Sequence, residues 1–200
     1  KKTGGNPFYL NEFLKSLFEE GCFYYTTQWE FNFERVREKA VTENVVKFLT
    51  DRIEKLPFNT VAVLQTAACF GPDFDLGILS FITGIGEEPL FLELLPAFQE
   101  GFIIKTGHSA RFIHERIRES ILLKIEEKAL VQIHFNIGIR LEKWAGNINS
   151  MEFMFNIVRH LNAAMTLITV PEEKLKLAWK NLKAAGKART AAAYSDSLEF

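Results

Sequence analysis

The stretch that most constrains what this chain can fold into is Arg111-Phe-Ile-His-Glu-Arg-Ile-Arg-Glu-Ser-Ile-Leu122, where a short strand hands over directly to a helix. Phe112 and Ile113 close a β-like run. Ile117, Ile121, Leu122 and Ile125 then recur at helical spacing, which places His114 at the joint. The first turn of a helix offers unpaired N–H groups and a partial positive charge, so a His there can help hold an anion such as a phosphate. A His at such a joint also serves as a plain capping or space-filling residue, and the residues by themselves support both readings.

Upstream of this corner the pattern is mostly helical. Asn6-Pro7 is a helix start, with Asn as N-cap and Pro at the first position, followed by an apolar stripe of Leu10, Phe13, Leu14, Leu17 and Phe18 and a glycine stop at Gly21. The aromatic run from Cys22 to Phe33, with Trp29, Phe31 and Phe33 alternating, reads as a small hairpin. A second helix is expected from Thr42 to about Leu56, with Val46, Leu49, Ile53 and Leu56 inward and Lys47, Asp51, Arg52 and Glu54 outward. Pro57 ends it or opens the next helix, in which Val61, Leu64 and Ala68 share a face up to Gly71-Pro72. Helices over about Leu76–Ile82 and Glu88–Gln99 follow. Phe102–Lys105 and Ala110–Ile113 then flank a Gly-led turn at Thr106–Ser109. Three helices followed by a two-stranded hairpin make a winged helix.

Beyond it the pattern is purely helical. Leu130, Ile133, Ile137, Leu141 and Trp144 form one stripe. Met154, Ile157, Val158, Leu161, Met165 and Ile168 form another past Gly146-Asn147, and Leu175, Ala178, Trp179 and Leu182 a third after Pro171. Helices joined by such short breaks suggest the start of an α-solenoid. The expected fold class is therefore mainly α, a winged helix with small β-hairpins followed by a tetratricopeptide-like helical array. The expected domains are residues 1–56, 57–124 and 125–200. The missing initial Met and the close inside a helical pattern are read as the ends of a piece of a larger chain.

Composition excludes several functions. A net charge of −1 over 200 residues provides no field to gather nucleic acid or anionic lipid. The helix that would enter a DNA groove carries Glu87, Glu88 and Glu93, with Glu100 just beyond it, and no Lys or Arg, so direct nucleic-acid binding is not expected. Apolar runs broken by charge within about a dozen residues are too short to span a bilayer. Cys22 and Cys69 form no C-x-x-C and read as buried small hydrophobes in a reducing cytoplasm. No Walker A, zinc-protease, nucleophile-elbow or dinucleotide glycine motif is present, so the segment itself is not expected to be an enzyme. His108, His114, Glu115 and Glu119 match no metal-ligand spacing, and no metal is expected. His134 and His160 read as satisfied core or edge residues.

Three stretches in order carry a resemblance: Thr3-Gly-Gly-Asn-Pro-Phe-Tyr-Leu-Asn-Glu-Phe-Leu14; Arg52-Ile-Glu-Lys-Leu-Pro57 with Leu64-Gln-Thr-Ala-Ala-Cys-Phe-Gly71; and Phe112-Ile-His-Glu-Arg-Ile-Arg-Glu119. Together the chain resembles STAND-type AAA+ ATPases. More narrowly it resembles the segment after the nucleotide-binding core in large bacterial signalling proteins that join a Ser/Thr-kinase-like domain, this ATPase, GAF and histidine kinase modules. The resemblance implies that Gly5-Asn6-Pro7 packs on the adenine and ribose side of the nucleotide, and that His114 reaches the β-phosphate of ADP and holds a closed, resting state. Ile113 and Glu115 stand where that family has Met and Asp. ADP or ATP would be the cofactor of the intact protein, with Mg and the catalytic Lys and acidic residues supplied by a core preceding Lys1, and none would be carried by this segment.

On this resemblance the chain is the regulatory arm of a nucleotide-gated signal-transduction ATPase in the cytoplasm, coupling nucleotide state to a downstream kinase. Its partners would be that ATPase core and a protein docked on the helical region, with no membrane contact. The alternatives are the equivalent arm of a MalT-like transcription activator and a nucleotide-independent protein-binding scaffold.

Overall fold

The computed structural model describes residues 7–19, 21–32, 34, 45–146 and 151–190. By contacts the chain divides into two units, Lys1–Asp51 and Arg52–Phe200. The described residues are mainly helical, with two small antiparallel sheets.

In the first unit, α1 (Pro7–Glu19) stops where Gly21 takes a left-handed φ of 65° that a side chain would strain. The N–H of Cys22 returns to the Leu17 carbonyl at 2.8 Å. Strands β1 (Phe23–Tyr25) and β2 (Trp29–Phe31) then form the expected hairpin, with Phe23 opposite Phe31 and Tyr25 opposite Trp29. Phe18, Phe23, Trp29 and Phe31 pack ring on ring at centroid distances of 5.6–6.4 Å. Leu17 and Cys22 are buried, whereas Leu10, Leu14 and Phe18 stay exposed, so only part of the helix's apolar stripe turns inward. The expected cap Asn6 lies outside the described residues.

Helix α2 (Val45–Ile53) runs across the division between the units. Further turns carry the chain to Leu56, and Pro57 closes this segment while acting as N-cap of α3 (Phe58–Phe70). Arg52 is not outward as the periodicity implied, for it is only 8% exposed. Its guanidinium forms an ion pair with Glu100 and lies 5.1 Å from the centroid of the Phe102 ring. The partner is 48 residues away in sequence, and a charge without such a partner could not be buried here.

After α3 come β3 (Asp73–Asp75), α4 (Leu76–Thr83), α5 (Glu87–Gln99), β4 (Ile103–Thr106), β5 (Ser109–Phe112) and α6 (Glu115–Leu122). The sheet has three strands in the order β3-β5-β4, not the two expected. Phe74 pairs with Ala110, and Ile104 with Arg111. β3 is only three residues long with Asp on either side of Phe74, so alternation could not reveal it. Phe74 is 2% exposed and lies 5.6 Å from the Phe112 ring. Asp75 ends the strand and caps α4, its Oδ1 accepting from the Ile78 N–H at 2.9 Å. Asp75→Ala should therefore cost about 1 kcal/mol in chemical unfolding of the 200-residue chain, and an unchanged midpoint would show that the cap contributes nothing.

Helices α7 (Glu127–Ala145), α8 (Met151–Ala163) and α9 (Pro171–Thr190) pack on one another in chain order. Their shared core joins Cys69 and Ile82 to Ile137, Leu141, Ile157, Leu161, Ile168 and Leu177, so the sheet-bearing part and the helical array are continuous. The stripe read from Met154 to Ile168 is broken. α8 stops at Ala163, a 3₁₀ turn spans Met165–Leu167, and Met165 faces solvent.

α9 also presents the opposite face from the one expected. Leu177, Ala184 and Ala188 are buried, while Leu175, Trp179 and Leu182 are each about 60% exposed. Small residues let α9 approach α8 closely, and Asn181 exchanges two amide hydrogen bonds with Asn162 of α8 at 2.8 and 3.0 Å. A half-buried polar pair is best satisfied face to face, which together with the buried Leu177, Ala184 and Ala188 fits this rotation of the helix. Among the described residues no helix is long and apolar enough to cross a membrane.

Candidate functional site at the strand-to-helix corner

The corner around His114 is built by the end of β5. Ala110 and Phe112 point inward while Arg111 and Ile113 are exposed, as strand alternation requires. The Ile113 N–H donates to the Phe102 carbonyl at 3.0 Å and holds the extended backbone up to the joint. His114 keeps extended dihedrals (φ −146°, ψ 140°), and the next residue is helical.

His114 is the N-cap of α6. Its Nδ1 accepts from the Arg116 N–H at 3.1 Å, which satisfies one of the helix's orphan donors in the way an Asn or Ser side chain would. With Nδ1 as acceptor, the ring proton sits on Nε2. The half-buried ring thus serves as the cap, one of the two readings drawn from sequence.

The rest of the first turn is already charge-balanced. Glu115 occupies the positive pole of α6 and pairs with Arg118, and Arg116 pairs with Glu119 at 2.7 Å. Arg118 Nε also donates to the Ala68 carbonyl at 2.9 Å, tying α6 to the end of α3. Ile117 and Ile121 are buried and fix the helix face. An oxyanion at this pole would have to displace or share the Glu115 carboxylate.

Of the other sequence-nominated residues, Pro7 is exposed as the first residue of α1 in the first unit, whereas His114 belongs to the second. Gly5 and Asn6 lie outside the described residues. His108 is exposed in the β4–β5 turn. Among the described residues no three His, Cys, Asp or Glu side chains are grouped to hold a metal ion. Cys22 and Cys69 are free and buried, as expected. Burial pushes the Cys69 thiol up to about 11 against the pull of Arg118, so it is not a nucleophile near neutral pH.

Sequence reasoning missed one constellation. His134 of α7 and His160 of α8 lie with their Nδ1 atoms 2.8 Å apart, and His160 stacks on Phe70 with ring centroids 6.3 Å apart. His160 is fully buried and its Nε2 has no partner among the described residues, so it is not the satisfied core histidine anticipated. His134 sits on a helical stripe and His160 adjoins another, which was visible. That the two stripes meet at these positions was not.

The chain is similar to the hybrid signal transduction histidine kinase G of Dictyostelium discoideum, being 26% identical over 262 residues. The match covers all of this chain and 7% of that relative's length. No family model matches the chain, and no solved structure does.

Proposed function

We propose that this chain is the regulatory arm of a nucleotide-gated signal-transduction ATPase, in which residues 57–124 are a winged helix and α7–α9 begin a tetratricopeptide-like array. The helix–strand–helix–helix–strand–strand order, with the first strand paired to the last, supports the winged-helix reading. Similarity to a hybrid signal transduction histidine kinase supports a signalling output over a MalT-like transcriptional one. The observation that carries the nucleotide role is the position of His114, whose imidazole is the N-cap at the positive end of α6. In this reading Pro7, Gly5 and Asn6 meet the adenine and ribose side, His114 meets the β-phosphate of ADP, and the core of the intact protein supplies Mg and catalysis.

A hydrogen bond to a phosphate contributes about 1.5–3 kcal/mol, so its loss shifts a closed/open equilibrium by roughly ten- to a hundredfold. In the intact protein His114→Ala is expected to weaken ADP retention by that factor and raise basal kinase output. His114→Asn separates the two roles, because Asn preserves the cap without the imidazole. ADP retention restored by Asn would reduce His114 to a cap and remove the nucleotide role.

A second reading, a nucleotide-independent scaffold, is favoured by the exposed Leu175, Trp179 and Leu182 on α9. Calorimetry of the intact protein with ADP decides between them, since binding indifferent to changes at Pro7 and His114 favours the scaffold.

A further inference from the structure

A cleft of about 390 Å³ opens where the C-terminal end of α3 meets β3, α6, α7 and α8, with Cys69, Asp73, Arg118, His134, Asn156 and Arg159 on its walls. His114 does not line it. A larger cleft of about 460 Å³ between α3, α4, α5 and α7 contains Arg140 as its only cation among the described residues, and that guanidinium donates to the Phe81 carbonyl. The smaller cleft concentrates donors instead.

Arg118 is tied to Ala68 and Glu115, but Arg159 is differently placed. Its Nη2 donates to Asn156 Oδ1 at 2.9 Å and, at 3.3 Å, to the Phe70 carbonyl. Among the described residues its Nη1 and Nε meet no acceptor and no carboxylate pairs with it. Because the Asn156 oxygen accepts from Arg159, the two N–H donors of that amide remain on the other side.

The His pair supplies the remaining donor. One proton lies between the two Nδ1 atoms. If His160 accepted it, His160 would carry its own proton on Nε2, an N–H buried with no acceptor. If His160 donates it, the unpartnered atom is a bare lone pair. Buried orphan N–H groups are the rarer and costlier of the two. His160 therefore donates, and His134 is held with its proton on Nε2, on a ring that lines the cleft.

We propose that this cleft binds the phosphate group of a small organic phosphate, with Arg159 as the charge partner and His134 Nε2–H and the Asn156 amide as the directing donors. The volume falls within the roughly 300–1,000 Å³ of small-molecule sites and leaves room beyond one phosphate. Asp73, the one carboxylate on the wall among the described residues, supplies an acceptor for hydroxyls of the organic part, which inorganic phosphate lacks.

The test is titration of the 200-residue chain with inorganic phosphate, glycerol 3-phosphate and acetate, read by calorimetry and by long-range proton–nitrogen spectra of the His134 ring. Saturable binding of glycerol 3-phosphate tighter than of inorganic phosphate, with little response to acetate, is the expected result, and His134 should show the Nε2-protonated tautomer. Arg159→Gln and Asn156→Ala should each weaken binding by roughly tenfold or more, while Arg140→Gln leaves it unchanged. Binding of inorganic phosphate alone would overturn the organic ligand. Absence of saturable binding, binding untouched by both cleft variants, or an Nδ1-protonated His134 would overturn the site itself.

Discussion

Taking the chain from pH 7 to pH 4 is expected to remove about 3 kcal/mol of stability through His160 alone. Burial first, then the neighbouring His134 and Arg159, push its folded-state pKa down to about 3 from an ordinary 6.5. The unfolded chain takes up a proton near pH 6.5 that the folded chain refuses until about pH 3. Stability from this group is thus fully present above pH 6.5, falls as the pH drops through that value, and stops falling below about pH 3. His134, also shifted down by burial and by Arg159, acts in the same direction. Carboxylates titrate in part of this window, so the comparison is with His160→Leu, which keeps them and removes the imidazole. Urea unfolding at the two pH values should show a loss in the wild type larger than in the variant by at least about 2 kcal/mol. Equal losses would show that this ring is not the acid-labile element.

Gly138→Leu should be at least as damaging. A Cβ at this buried position on α7 would lie 2.6 Å from Cδ2 and 2.8 Å from Cγ of Leu161 on α8, with the Leu161 backbone nitrogen at 3.3 Å. Leu161 is 2% exposed and packed within the shared core, so making room for the new side chain means repacking that core. Overpacking of this kind costs about 1–3 kcal/mol for added methylenes and more for a branched side chain, so a loss above about 3 kcal/mol is expected. Gly138→Ala is the graded arm. Its clash is offset by about 1 kcal/mol of helix propensity, which leaves a smaller net loss. The double change Gly138→Ala with Leu161→Ala should cost less than the sum of the single changes, because the second removes the atoms that the first meets. Additive losses would mean that the two helices do not rely on this approach.

The corner that organises the chain was legible because its signals are local. A change of apolar period from two to three or four residues marks His114, and the imidazole does cap the helix that the spacing of Ile117 and Ile121 announces. The hairpin at Phe23–Phe31, Leu64 and Ala68 of α3, and Ile137 and Leu141 of α7 were readable for the same reason, whereas Trp144, expected on the α7 stripe, is exposed. β3 was not, because one inward Phe between two Asp carries no period, and its strand character comes only from pairing with β5.

The remaining departures share one cause. The rotation of α9 fits Asn181 meeting Asn162 and small residues meeting α8, and the large apolar residues that looked like a core stripe are left outside. The burial of Arg52 depends on Glu100 and Phe102 arriving from another helix end and strand.

Taken alone, the sequence determined most of the helices, both hairpins, and that a histidine stands at the strand-to-helix joint, but neither β3 nor the break after Ala163, since periodicity, capping and turn chemistry act only between residues a few positions apart. Tertiary structure alone decided which faces meet, which charges are buried with partners, and that His134 and His160 share one proton beside Arg159. Those outcomes depend on packing and desolvation between segments distant along the chain, whose registry no local pattern encodes.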